Sequence, residues 1–401
     1  MDQPAPRKPL LIALEIGLNA DAPRGIDNYI TNVVEALADV DRFNRYLVFS
    51  YFFRDFERKK ERLRLSVGEN FERIARRFPD KIVHMFDHLW GLPVTERVLL
   101  AGRRPDVYHV LGGGLLPRIS KSKTVVTFFD LMTEAFPKEG TPDPGRRIAD
   151  PYTAEFARRA DFLVATGYTA KRDLMNFYSI PGDRIEVIPT GVNLKTFQPV
   201  LDAGRLEKVR RRYALPAHFV MVIGPFVPPN RTNAGTTLEA FAQLRSAGRT
   251  KGCALVLTGS PSAPLDDLLA LAGRLGIRQD MVCTGFVAAE DLPAVYTLAE
   301  VLVHPTSVNG FGFGLEAMAC GTPFITSDMP GVVEAVADAA LKVPPQNLPA
   351  LREALGSLLA DEKLRARLKS AGLARAAAYS YRNVAEKLVG VYEKLGREVK
   401  R

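Results

Sequence analysis

The chain has 401 residues, 47% hydrophobic and 25% charged, which suits a globular protein with large cores and room for two or three domains. No apolar stretch reaches the roughly 18 residues of a membrane-spanning helix, and three cysteines and five histidines fall into no disulfide framework or metal-ligand spacing. A net charge of +9 suits nucleic acid, an anionic membrane surface or phosphate-bearing substrates; with basic residues dispersed among acids and no helix-turn-helix, RNA-binding strand or zinc finger in the sequence, a nucleic-acid partner is not expected.

In chain order, apolar β-branched runs alternate with segments of helical period. The first series is LLIALEI (10–16), YLVFSYF (46–52), KIVHMF (81–86), DVYHVL (106–111), TVVTFF (124–129), FLVAT (162–166) and IEVIPT (185–190). The second is FVMVIG (219–224), CALVLTG (253–259), MVCTGF (281–286), VLVHP (301–305), PFITS (323–327) and ALKVPP (340–345). Strands that are apolar throughout belong to parallel sheets covered on both faces. Their alternation with helices spells β-α-β units. The fold class is therefore α/β, with two Rossmann-like doubly wound domains. The break falls at 193–215, a polar stretch with a charged helix, and the segment RNVAEKLVGVYEKLGREV (382–399) carries Val384, Leu388, Val391, Tyr392 and Leu395 on one helical face. Ligands of such sheets bind outside the carboxyl ends of the strands, so two facing domains would direct their loops to one cleft.

Two smaller readings accompany this frame. Cys253, Cys283 and Cys320 lie in or beside apolar runs, so buried free thiols in a reducing cytoplasm are expected. The basic run RDFERKKERLR (54–64) has Phe53, Phe56 and Leu63 near helical spacing; it is either an interfacial helix on anionic lipid or a solvated helix with its Phe side on the core.

The segment VLVHPTSVNGFGFGLEAMACGTPFI (301–325) is the richest in chemistry. It reads as a buried strand, a glycine-rich turn over Asn309, Gly310, Phe311, Gly312 and on to Gly314, and a helix opening at Leu315 or Glu316. Glycines running into a helix start let backbone N–H groups approach a phosphate, with the helix dipole adding positive potential. A carboxylate there is repelled by phosphate, so Glu316 suits sugar hydroxyls as an acceptor; the plain alternative is a strand-turn-helix with Glu316 complementing the dipole. The first form implies a nucleotide-sugar pocket.

The second half, through FVMVIGPFVPPNRTN, CALVLTGS, LAGRLGIRQDMVCTGFVAAEDLPAVYTLAEVLVHPTS and GFGFGLEAMACGTPFITSDMPGVVEAV, resembles the retaining glycosyltransferase family 4, which has the GT-B fold. The first half resembles it more weakly, through RGIDNYITNVVEAL, TVVTFFDLMTEAFP and TGYTAKRDLMNFYSIPGDRIEVIPTGVNLKTFQP. The resemblance implies an N-terminal acceptor-binding domain (1–195, joined by the helix at 380–401) and a C-terminal nucleotide-sugar-binding domain (196–379). It implies retaining, metal-independent transfer without a cofactor. The donor would be a UDP- or GDP-sugar and the acceptor a glycan or lipid-linked molecule, in bacterial cell-surface polysaccharide assembly, in the cytoplasm or at the inner face of the membrane. It places Gly25 and Arg231 on the donor phosphates, Arg being matched to phosphate by its fork, and Glu316 on the ribose. Asp130 and Thr190 stand at strand ends, where Asp130 could orient hydroxyls or cap a turn.

Three positions depart from the family pattern. The first glutamate of its pair is replaced by Val308 or Asn309, Arg231 is displaced from the usual basic pair, and the strand-end histidine is Phe129. These departures leave two expectations open: a transferase in which Asn309 meets the donor sugar, or a degenerate GT-B protein that binds nucleotide-sugar or a partner enzyme without turnover.

Overall fold

A computed structural model describes residues 8–16, 25–52, 56–61, 65–79, 82, 86, 94–112, 116–117, 119, 121–129, 151–224, 232–259, 263–306 and 312–399. The chain divides into two compact units, Met1–Thr190 with Tyr381–Arg401, and Gly191–Ser380.

The first unit holds β1 (Leu11–Glu15), α1 (Gly25–Val40), β2 (Arg45–Phe52), α2 (Phe56–Glu61), β3 (Phe71–Arg77), β4 (Val107–Val110), β5 (Lys123–Phe128), α3 (Pro151–Arg159), β6 (Phe162–Ala165), α4 (Tyr168–Tyr178) and β7 (Ile185–Val187). Its seven strands pair in the order β3-β2-β1-β4-β5-β6-β7, parallel at every pairing. Alternate residues of each strand feed two cores: Ile12, Leu14, Val107 and Val125 face one, Ala13, Tyr108, Val110 and Val126 the other. That double burial is why these runs are apolar throughout.

The second unit holds α5 (Ala203–Arg212), β8 (Phe219–Ile223), α6 (Ala234–Ser246), β9 (Ala254–Thr258), α7 (Ala263–Arg274), β10 (Met281–Gly285), α8 (Leu292–Leu298), β11 (Val301–His304), α9 (Gly312–Ala319), β12 (Phe324–Ser327), α10 (Pro330–Val336), β13 (Leu341–Val343), α11 (Leu348–Ala360) and α12 (Glu362–Ala378). Its order is β10-β9-β8-β11-β12-β13, again parallel throughout. The order reverses between β1 and β4 in the first unit and between β8 and β11 in the second. Those are the switch points where crossovers leave in opposite directions and a crevice opens at the strand ends.

The last helix, α13 (Tyr381–Val399), returns to the first unit and packs along α1. The five apolar residues expected on its inner face are all buried. A polar network pins it as well: His109 on β4 bonds the Tyr392 hydroxyl through Nδ1 at 2.6 Å and Thr127 through Nε2 at 2.8 Å. Where the chain enters the second unit, Val192 N–H donates to the Tyr379 carbonyl at 2.7 Å, and Val192 bridges Ser380 in parallel.

Three expectations need correction, and a fourth falls mostly outside the described residues. FERIARR (71–77), charged and not expected as a strand, is β3, an edge strand whose Glu72, Arg73, Arg76 and Arg77 face solvent. Cys283 is exposed while Cys253 and Cys320 are buried, because β10 is the edge of the second sheet. The helix expected to open at Leu315 or Glu316 begins at Gly312, so Gly312 to Gly314 are helical rather than turn and Glu316 lies beyond the first turn, not at its dipole end. KIVHMF (81–86) falls mostly outside the described residues. In the basic run, Phe56 packs against the first core.

Candidate active site

In the second unit the crevice at the β8–β11 switch point is framed by residues close to the sequence candidates. Asn233, held at φ 48 just before α6, a conformation asparagine tolerates better than most residues, donates through Nδ2 to the Pro305 carbonyl at 2.6 Å. The exit of β11 is further fixed by Thr326 Oγ1 on the His304 carbonyl at 3.2 Å and Ser327 Oγ on the Thr306 carbonyl at 2.5 Å. The segments flanking Arg231 and Asn309 are thereby joined by a buried hydrogen bond. Arg231, Asn309, Gly310, Phe311 and Asp130 themselves lie outside the described residues.

Gly312 opens α9, exposed, and a Cβ placed on it would meet nothing within 4 Å. A side chain at Gly312 would therefore meet open space. One turn on, Glu316 accepts a hydrogen bond from the Tyr296 hydroxyl of α8 at 3.0 Å. Tyr296 is fully buried, and its ring meets Phe197 edge-on at 6.3 Å. Burial pushes the Glu316 carboxyl up to about 7, against the lowering effect of the Tyr296 bond. A carboxylate taken out of water in this way is ionised at a cost, and hydroxyl donors from a ligand would repay it.

In the first unit Gly25 opens α1, exposed and with open space where a Cβ would sit. Thr190 is half-buried, the last residue of the unit before the crossing at Gly191. Phe129, at the position of the family's histidine, packs edge-on against Tyr29 of α1 at 5.0 Å, an apolar contact in place of a titrating group.

Sequence reasoning missed three residues. Glu15, at the end of β1 beside the first switch point, is 5% exposed and accepts a hydrogen bond from the Tyr108 hydroxyl. Tyr296 and His304 lie on the face of the second sheet that carries α9. Glu15 had one signal, a carboxylate interrupting an apolar strand; Tyr296 and His304 sit inside apolar runs with none.

Known proteins resemble this chain over most of its length. The profile described as Glycosyltransferase Family 4 matches residues 23–196, and that described as Glycosyl transferases group 1 matches residues 217–361. The D-inositol 3-phosphate glycosyltransferase of Acidothermus cellulolyticus is 30% identical over 326 residues, 76% of this chain and 71% of that protein. O-antigen chain mannosyltransferase B of Escherichia coli is 27% identical, over 76% of this chain and 78% of its own. Longer relatives also match: the chain spans 34% of the serotype-specific mannosyltransferase WbdA of Escherichia coli, at 26% identity. Among solved structures, Anabaena HepE in complex with UDP-glucose superposes with a TM-score of 0.71 at 16% identity, over 96% of this chain and 100% of that one.

The two switch-point sheets define a GT-B glycosyltransferase fold. The chain belongs to the group 1, family 4 glycosyltransferases.

Proposed function

We propose that this protein is a retaining, metal-independent glycosyltransferase that moves a sugar from a nucleotide-diphosphate sugar to a glycan or lipid-linked acceptor in bacterial cell-surface polysaccharide assembly. The observation that carries the reading is Glu316: a carboxylate on α9, bonded by buried Tyr296 and raised to about 7, one turn from an open helix start. In this reading Glu316 accepts the ribose hydroxyls. The Gly312 end of α9 and Arg231 meet the diphosphate, whose charge grows as the sugar leaves, and the family resemblance gives Gly25 a phosphate contact as well. Asn309, Gly310 and Phe311 border the donor sugar, and Asp130 and Thr190 orient hydroxyls. Residues 196–379 hold the donor, and 1–195 with 380–401 hold the acceptor. Support for a nucleotide-sugar comes from the UDP-glucose of HepE, and for a surface glycan from the O-antigen mannosyltransferase. Among the described residues no helix is long and apolar enough to cross a membrane; the reading puts the protein on the cytoplasmic side, with the acceptor presented at an anionic surface.

A thermal-shift screen against UDP, GDP, ADP and their common sugar conjugates tests this, with donor consumption followed with and without EDTA and the product anomer read by NMR. Stabilisation by one nucleotide-sugar that is then consumed in EDTA, with retained configuration, is expected. No stabilisation by any nucleotide would sink the reading. The Phe129–Tyr29 contact favours one second reading, a degenerate donor-binding protein; stabilisation with no turnover under any acceptor is its signature.

A further inference from the structure

β11 delivers His304 to the point where the second sheet changes direction. The ring is 8% exposed and meets Phe313, in the first turn of α9, edge-on at 5.6 Å. It is hydrogen-bonded to the backbone of Ile223, the last residue of β8 across the switch point. Its Nδ1 is buried with no partner; with the proton on Nε2, toward the Ile223 backbone, Nδ1 is a bare lone pair. Burial also pushes the ring down to about 4, so it is neutral near pH 7. On β9, at the other side of β8, the buried Thr258 hydroxyl also lacks a partner. Buried polar atoms in native folds are nearly always satisfied. Two unsatisfied ones flanking the end of β8, at a crevice where doubly wound sheets bind ligands, point to a ligand that satisfies them.

We propose that His304 is a specificity-determining residue for the donor, its Nδ1 accepting a hydrogen bond from a sugar hydroxyl of the bound nucleotide-sugar. This rests on the donor-site reading above. The lone pair selects a hydroxyl over a phosphate oxygen, because phosphate offers only acceptors and the neutral ring has no second proton to give. A site built around such an acceptor discriminates against analogues lacking the hydroxyl, since the lone pair then stays buried and unpaired.

Two substitutions separate the two nitrogens. His304→Gln can place an amide N–H toward Ile223 while deleting the acceptor at Nδ1; His304→Asn can place an amide oxygen near Nδ1 while deleting the bond to Ile223. Calorimetry with UDP, UDP-glucose, GDP and GDP-mannose is run on the wild-type chain and both variants, with Tm recorded for each. His304→Gln is expected to weaken the nucleotide-sugar that binds by about tenfold with Tm kept, and His304→Asn to retain affinity within about threefold. Loss confined to the nucleotide-sugar identifies a hydroxyl of the transferred sugar; equal loss for the nucleoside diphosphate identifies the ribose. Unchanged affinity in His304→Gln, or an equal loss in His304→Asn, overturns the proposal and leaves Nδ1 to a buried water. A wild-type chain that binds none of the four, nor ADP or ADP-glucose run beside them, overturns the donor-site reading, and this inference with it.

Discussion

At the scale of single residues, the proposed donor contact centres on Glu316. Its carboxyl is raised from 4.5 to about 7, so in the unliganded fold the neutral form is favoured. The contribution to stability is fully present below 4.5 and lost as pH rises through about 7. In the proposed reading donor binding runs the other way, because ribose hydroxyls would need the ionised acceptor. Donor affinity measured by calorimetry is therefore expected to weaken as pH falls from 8 to 6, and Glu316→Gln to remove that dependence. The Tyr296 hydroxyl and the buried Cys320 thiol are the titratable groups coupled to this carboxyl, and burial keeps both uncharged over that range. Glu316→Ala is expected to cost about 1–3 kcal/mol of donor affinity. Asn309→Glu restores the family's carboxylate and should change donor preference or turnover in a donor-consumption assay; no change in either would mean that Asn309 does not meet the sugar. Glu316 stood out as a candidate in the sequence because glycines and a lone carboxylate follow an apolar strand. Tyr296 and His304 did not, since their roles depend on which sheet face they share and on what is missing around them, and neither is written in spacing.

At the scale of elements, the apolar strands and the α13 stripe were readable because both faces of each sheet and one face of the helix exclude water. β3 escaped because an edge strand needs a partner on one side only, and its charges blunt the open edge against pairing with another chain. The start of α9 escaped because two glycines read as a turn, although glycine in a helix costs only about 1 kcal/mol. In the first unit, Leu388→Ala on α13 removes a fully buried side chain and should lower stability by about 2–5 kcal/mol in denaturant titrations. Tyr392→Phe leaves His109 Nδ1 without its partner and should cost about 1–3 kcal/mol. Burial pushes His109 down to about 3, so its contribution is present above the unfolded value near 6.5 and lost as pH falls toward 3. His109→Gln, with no titrating group, should flatten that part of the acid-stability curve.

At the scale of the molecule, the first unit is made of two stretches far apart in sequence, Met1–Thr190 and Tyr381–Arg401. The helical period of the last segment was visible in the sequence; its membership of the first unit came only from the family resemblance, because no local pattern says which core an amphipathic helix covers. Deleting 381–401 strips Val384, Ala385, Leu388, Val391, Tyr392 and Leu395 from that core. The truncated chain should lose near-ultraviolet dichroism and protease resistance over the first unit, while fragments of 191–380 stay protected.

The same discontinuity sets an order of events on the ribosome. The whole of Gly191–Ser380 is synthesised between the first unit's opening stretch and its closing helix, an interval of roughly ten to forty seconds at ordinary translation rates. Throughout it, the face of α1 that α13 will cover stays bare, and the middle of the chain can finish folding before its beginning. The nascent first unit can close its core only after the last helix clears the exit tunnel.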